Sequence, residues 1–482
     1  MEAKEAFETA CKLPEVRPDA LLGLACMLTE DGDRDRAEAL CRKSIGMSPS
    51  VWESYLNLGH LLYQKGSFRE ALLVAEPAIR FSSDPALLLN LAVYQEKCGE
   101  FMNAIRTLEK VIEQVPDSPS AFLNLGNCLL FLGLPNEASA AYRKSRQFEP
   151  DSANSFSNHL HSLNYVSGID PETAFNLHRE FSQRFEAPLG PHQPHSNSRD
   201  PERRLRIAYV SPDLRGHSVA FFVEPLFRHH DRTQFEVWGV LSHTWQDRTT
   251  ERLKGICDGW LDAGNLSNEA LAEKLRSLEI DVLVDLICHS QGSRLLTFAR
   301  KPAPLQITMI GMQQTSGLDA MDYRVTDAFM DPPGTSEQFH SEQLMRLPLA
   351  FCFQPPTPEP GQQLPPIAPL PALKNGFVTF GSFNNFAKAN SEVLKAWAQV
   401  LKLVPNSRLV AVAPEGTPFE ATMAAEGIAP ERIIASPRKS HDAYLHMHDE
   451  IDFVLDCFPF GGLTVSAIAA WMGVPTLTIA GN

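Results

Sequence analysis

Asp213 and His217 stand four residues apart in the stretch between an apolar run, Leu205–Val210, and a helix-like segment, 219–230. A histidine titrating near neutrality can take up a proton, and an aspartate beside it can relay that proton or orient the ring. The same two residues in a loop also make an ordinary turn and cap. Lys388 follows a second apolar run, Phe377–Phe380, where a lone lysine is by default a solvated charge. Gly461-Gly462-Leu463-Thr464-Val465-Ser466 lies between a strand-like run, Ile451–Asp456, and a helix-like segment, 464–472. Backbone N–H groups and hydroxyls at such a junction can receive phosphate oxygens or simply cap the helix. The only Asp-x-Asp patterns are Asp31-x-Asp33 and Asp33-x-Asp35, in a turn far from these candidates, so no metal is expected.

The elements that must position these residues are legible from about Arg204 onward. Runs rich in β-branched residues at 205–210, 280–286 and 305–310 alternate with helix-like segments at 219–230 and 267–278. A second series runs through Phe377–Phe380, Ser407–Ala413, Arg432–Ala435 and Ile451–Asp456, with helices near 391–404, 418–426 and 440–448. Such alternation implies parallel sheets covered by helices on both faces. Eight prolines in residues 354–373 separate the two series, since proline continues neither kind of element. Two Rossmann-like halves therefore bracket a cleft, and open α/β sheets bind ligands at their strand ends.

The first third repeats itself. Gly66, Gly99 and Gly133 are spaced by 33 and 34 residues, as are Ala71, Ala104 and Ala138, and Asn57, Asn90 and Asn124. A period of about 34 is that of the tetratricopeptide repeat, a helix pair that stacks into a solenoid with a concave, peptide-binding face. Each glycine is expected to end a first helix in the left-handed conformation. Leu58-Gly59, Leu91-Ala92 and Leu125-Gly126 place small residues where the second helix comes close. An earlier unit keeps the spacing at Leu24-Ala25, Gly32 and Ala37, and a fading fifth surrounds Asn158, Gly168 and Ala174. The expected domains are repeats over 1–168, a helical linker over 169–204, a first Rossmann-like half over 205–375 and a second over 376–482.

A formal charge of -15 argues against nucleic acid, which selects a basic surface. No apolar run approaches the ~18 residues that span a bilayer, and the acidic start is unlike a signal peptide, so the expectation is a cytoplasmic protein without a membrane partner. Nine cysteines without any C-x-x-C pair point to reduced thiols.

Several segments in this order resemble one family. They are Arg206-Ile207-Ala208-Tyr209-Val210-Ser211-Pro212-Asp213-Leu214-Arg215-Gly216-His217, Arg300-Lys301-Pro302-Ala303-Pro304-Leu305-Gln306, Met321-Asp322-Tyr323-Arg324-Val325-Thr326-Asp327, Phe383-Asn384-Asn385-Phe386-Ala387-Lys388 and Trp471-Met472-Gly473-Val474-Pro475. Together with the repeats they resemble the O-linked N-acetylglucosamine transferases and their bacterial and plant SPINDLY-type relatives. The resemblance implies an α-helical tetratricopeptide solenoid followed by a GT-B glycosyltransferase of two Rossmann-like domains. It also implies an inverting, metal-independent transfer of a sugar, foremost N-acetylglucosamine from UDP-GlcNAc, to Ser or Thr of proteins. GDP-fucose as donor, or an inactive repeat scaffold, are the alternatives.

The resemblance assigns roles residue by residue. His217 and Asp213 match the family's catalytic-loop pair, and Lys388 matches its diphosphate-binding lysine. Asn385, Tyr444, Gly462, Thr464, Val465 and Ser466 would hold the nucleotide sugar, with Tyr444 offering an aromatic face to the base. Asn57, Asn90 and Asn124 would form a ladder for the acceptor backbone, which Gly23 breaks in the first unit. No cofactor is implied, and a homo-oligomer is left open. The chain departs from the family at Gly311-Met312-Gln313-Gln314-Thr315-Ser316-Gly317, in a loop expected to face sugar or acceptor. It departs again at Ile468, where an acid would hold the ribose, and the second half is expected to be incomplete at Asn482.

Overall fold

A computed structural model describes residues 2–11, 17–355 and 364–479; part of the proline-rich connection falls outside these. The chain forms two compact units, one reaching Phe148 and including Ala413–Pro418, the other holding the remainder from Glu149.

The first unit is built of helix pairs: Pro18–Glu30 with Arg34–Met47, Trp52–Gln64 with Phe68–Ala75, Pro85–Lys97 with Phe101–Gln114, and Pro119–Phe131 with Pro135–Phe148. Gly66, Gly99 and Gly133 adopt φ of +79°, +80° and +74°, the left-handed turn that the spacing predicts. Ala71, Ala104 and Ala138 are fully buried. A Cβ on Gly126 would come within 2.6 Å of Tyr142, on the second helix of its own pair. Gly59 instead admits Tyr94 of the following pair, so the small residue there serves stacking between units. Pro77 limits the second helix of the second pair, which passes into a 3-10 turn at Glu76–Arg80.

The second unit contains two wholly parallel sheets. Strands β1 (Leu205–Ser211), β2 (Phe235–Leu241), β3 (Gly259–Asp262), β4 (Val282–Asp285), β5 (Leu305–Thr308), β6 (Tyr323–Asp327) and β7 (Gln343–Leu347) assemble in the order β3-β2-β1-β4-β5-β6-β7. Strands β8 (Val378–Ser382), β9 (Ser407–Val412), β10 (Ile433–Ser436), β11 (Phe453–Leu455) and β12 (Thr476–Leu477) assemble as β10-β9-β8-β11-β12. Chain order reverses beside β1 in one sheet and beside β8 in the other, which puts a topological switch point after each of those strands.

The fifth helix pair, Ala153–Ser162 and Pro171–Phe185, departs from the expected boundary at 168. Phe156, Leu160, Leu163, Ala174 and Phe181 share one buried cluster with Ala208, Val210 and Leu283 of the first sheet. This pair fades as a repeat because its apolar face is fitted to a sheet rather than to another helix pair. The linker expected over 169–204 is helical only as far as the 3-10 turn Ala187–Leu189.

Candidate active site

Both charged candidates lie at the switch points. Lys388 ends a 3-10 turn, Phe386–Lys388, just after β8. Its Nζ donates to the Gly461 carbonyl at 2.6 Å and lies 3.9 Å from the centroid of the Phe460 ring. Burial pulls the Lys388 pKa below the ordinary lysine range, against the opposing pull of Cys457 and Asp456. Asn385, expected beside it, is exposed and uses its Oδ1 to accept the Ala387 amide at 3.2 Å, so it shapes the turn.

The glycine-rich junction is organised by a residue that the motif reading passes over. Asp456 Oδ1 accepts the amides of Cys457 at 2.8 Å and Gly462 at 2.9 Å, and also Asn384 Nδ2 at 3.0 Å. A Cβ on Gly462 would fall 2.2 Å from Asn384 Oδ1, so any larger residue there would have to push that side chain aside. Its N–H, expected to meet phosphate, is therefore already committed to Asp456. The helix that follows, Leu463–Trp471, has no side-chain cap. Ser466 N–H donates to the Gly462 carbonyl at 3.0 Å, and Val465 packs against the core around Phe383 and Val454. What the segment offers an anion is the backbone of its first turn, Leu463 to Val465, with the Thr464 hydroxyl.

His217 and Asp213 follow β1. His217 Nδ1 is 3.6 Å from Asp213 Oδ2 and 3.4 Å from the Val219 amide, while Arg215 approaches Asp213 to 3.4 Å. Burial lowers the His217 pKa, Asp213 opposes it, and Arg215 and Arg438 add to the lowering. Arg438 belongs to the segment after β10, so the two halves converge on this histidine. Among the described residues no hydrogen bond or ion pair joins His217 to Lys388.

The packing bears on three expectations. The Tyr444 ring is half-buried in an aromatic group, edge-on to Phe383 and His448 and nearly parallel to His441 at 6.5 Å. The more exposed aromatic face is that of His441, which no motif singles out. Ile468 is 3 % exposed and packs with Leu445 and Met472 against Phe221, Phe353 and Tyr444, an apolar setting with no place for an ionised ribose ligand. Most of the loop 311–317 is withdrawn from solvent. Glu342 accepts the Thr315 hydroxyl at 2.6 Å and the Ser316 amide at 2.7 Å, and Gln313 alone in the loop is exposed. Arg324 Nη1 donates to the carbonyls of Met312 and Gln314, and Lys301 and Gln306 both donate to that of Ala320. Those motif residues thus hold a loop in place.

Asn57, Asn90 and Asn124 occupy equivalent, partly exposed sites on three first helices. Asn57 bonds Cys26 Sγ at 3.1 Å and Asn90 bonds the Ala86 carbonyl at 2.8 Å, contacts a peptide backbone would have to displace. A separate cleft of about 550 Å³ opens beside the turn at Pro77, lined by Leu88, Leu91, Gln95, Arg106, Thr107 and Lys110 and by none of the three asparagines.

The profile of glycosyl transferase family 41 matches residues 189–354 and 370–482, covering both sheets and both switch points. The chain belongs to glycosyl transferase family 41. A tetratricopeptide-repeat profile matches residues 89–153 of this family 41 chain. It is 38% identical over 354 residues to a rice protein (Oryza sativa subsp. japonica) named "Probable UDP-N-acetylglucosamine--peptide N-acetylglucosaminyltransferase SPINDLY". That match takes in 71% of the chain and 38% of the rice protein. An Arabidopsis thaliana protein of the same name is 38% identical over 349 residues, 70% of the chain and 37% of that protein. The chain thus spans under two fifths of the length of these curated relatives. Among solved structures, a Thermobaculum terrenum O-GlcNAc transferase mutant superposes with a TM-score of 0.79 at 31% identity, covering 96% of this chain and 82% of that one. The family 41 chain therefore has the GT-B arrangement of two parallel-sheet halves after helical repeats.

Proposed function

We propose that this family 41 chain carries out protein O-glycosylation, moving N-acetylglucosamine from UDP-GlcNAc to Ser or Thr hydroxyls of protein acceptors. The observation that carries the reading is the meeting of Lys388 with the glycine-rich junction: a partly buried ammonium held on Gly461, beside an uncapped helix start. Positive charge and aligned N–H donors in one place suit a leaving nucleoside diphosphate, whose negative charge grows as the bond to the sugar breaks. The acceptor oxygen attacks the anomeric carbon, the bond from that carbon to the diphosphate oxygen breaks, and the hydroxyl proton passes to a base. His217 is the first candidate for that base, because its lowered pKa keeps the imidazole neutral near pH 7. Asp213 is the second, 3.6 Å away. The names of the rice and Arabidopsis relatives support the donor and the peptide acceptor, and that of the Thermobaculum structure supports the sugar transferred.

The reaction is proposed to invert the anomeric centre in one displacement and to need no metal. The repeats are proposed to present the acceptor and the cytoplasm to be the compartment; among the described residues no helix is long and apolar enough to cross a membrane. The decisive experiment measures UDP-GlcNAc binding by calorimetry and sugar transfer to protein by mass spectrometry, with EDTA in excess. Lys388→Met should abolish transfer and leave the melting temperature unchanged. Equal transfer by the variant would remove Lys388 from the mechanism, and loss of transfer in EDTA would remove metal independence.

One observation favours a second reading. Ile468 stands in an apolar cluster where the family resemblance leads one to expect an acid for the ribose. A scaffold that no longer binds sugar nucleotides would show no heat with either UDP-GlcNAc or GDP-fucose, whereas a changed donor would bind GDP-fucose alone.

A further inference from the structure

Lysine is a flexible chain carrying a point charge, and placing its ammonium costs rotamer freedom unless neighbours define the site. Around Lys388 those neighbours are aromatic. The Phe460 ring lies beneath the ammonium at 3.9 Å, and Tyr165 meets Phe460 edge-on at 5.1 Å and 81°. Tyr165 comes from the fifth helix pair, is 8 % exposed, and has its hydroxyl 3.3 Å from His161 Nε2. Asn390 ties the two segments together, donating from one Nδ2 to Ser167 Oγ and to the Phe458 carbonyl, each at 3.2 Å.

We propose that Phe460, buttressed by Tyr165, is a positioning residue for Lys388, its ring face fixing the ammonium over the Gly461 carbonyl where a leaving diphosphate is neutralised. The proposal rests on the reading of this site as a nucleotide-sugar transferase. It gives the fifth helix pair a role within the donor site, distinct from acceptor binding by the repeats.

The charge environment makes the ring matter. The groups that face Lys388 are Asp456 and Cys457 from the loop after β11 and His161 from the helix pair. Burial pushes the Cys457 thiol up to about 12 and His161 down to about 4, the latter helped by the Lys388 charge. Both are therefore neutral near pH 7, and what pulls the Lys388 pKa upward against burial is its setting beside Cys457 and Asp456. An aromatic face adds to that pull, because its quadrupole stabilises the charged form more strongly where water is excluded.

Phe460→Leu removes the ring face, Phe460→Met does so with an unbranched chain of similar volume and longer reach, and Phe460→Tyr restores it. In Leu and Met variants of the full chain the alkaline limb of the kcat profile should move down by about one pH unit. Their kcat should fall roughly tenfold with a smaller change in KM for UDP-GlcNAc; the Tyr variant should match wild type. Tyr165→Leu should shift the limb the same way by less, and an unmoved limb would remove Tyr165 from the array. Trace acetylation of Lys388 across pH, read by mass spectrometry without donor, should report the same displacement. An unmoved limb and labelling curve in both Leu and Met variants, or a Tyr variant that fails to restore them, would overturn the proposal. If the wild type turns over no sugar nucleotide, the functional reading fails, and the labelling curve alone then decides whether Phe460 sets Lys388.

Discussion

Asp456 Oδ1 accepts the Gly462 amide at 2.9 Å, and that bond fixes which donors the glycine-rich junction has left for an anion. The same carboxylate holds Asn384 and the Cys457 amide, while its Oδ2 receives the Thr478 hydroxyl at 3.0 Å. One side chain thereby sets the end of β11, the junction and the chain leaving β12.

Asp456→Asn keeps the shape but weakens acceptance of several N–H groups. Bonds to a charged acceptor are worth about 1.5–3 kcal/mol each, and the net loss of stability should be about 2 kcal/mol. Calorimetric affinity for UDP should fall along with it, since the junction loosens. A variant with wild-type melting temperature and Kd would show that Asp456 does not organise the site.

The Ile468 environment reverses a natural engineering idea. An aspartate introduced there gains no ribose contact and instead buries a carboxyl among Leu445, Met472, Phe221 and Phe353. Ile468→Asp should cost about 3 kcal/mol and should not tighten UDP. Urea unfolding and calorimetry check both halves, and tighter UDP binding would restore the family's ribose pose.

His217 gives a pH signature with a definite sign. Burial lowers its pKa, so the neutral, proton-accepting form persists below the usual histidine value, and activity should fall only as pH drops through the lowered pKa. Asp213 opposes the lowering, so Asp213→Asn should move the acid limb of kcat/KM further down while reducing its plateau. An acid limb that stays in place in Asp213→Asn would separate the two residues, and one that persists in His217→Ala would belong to another group.

The asparagines test the repeats. Replacing Asn57, Asn90 and Asn124 together by alanine should raise KM for protein acceptors about tenfold while sparing slow hydrolysis of the sugar nucleotide. Each asparagine is partly exposed, so stability should change by less than about 1 kcal/mol. Equal loss of both activities would mean the repeats do not act through this row.

What the sequence by itself determined is everything that depends on local period and backbone. The interval at Gly32, Gly66, Gly99 and Gly133 was enough for four helix pairs, because a left-handed turn is a property of one residue. The alternation of β-branched runs with helices was enough for two parallel sheets, and their switch points put Asp213, His217 and Lys388 at the strand ends. Tertiary structure alone decided what those residues meet. Nothing in the chain order brings Tyr165 to Phe460, or commits Gly462 to a carboxylate lying before it on another turn. Nor does any motif tell that Lys301, Gln306 and Arg324 secure a loop, since a donor bound to a backbone carbonyl leaves no pattern in side-chain types. The fifth pair shows the limit most clearly. Its spacing still reads as a repeat, but burial of Phe156 and Phe181 against the first sheet makes it part of the second compact unit, because an apolar face belongs to whichever surface covers it.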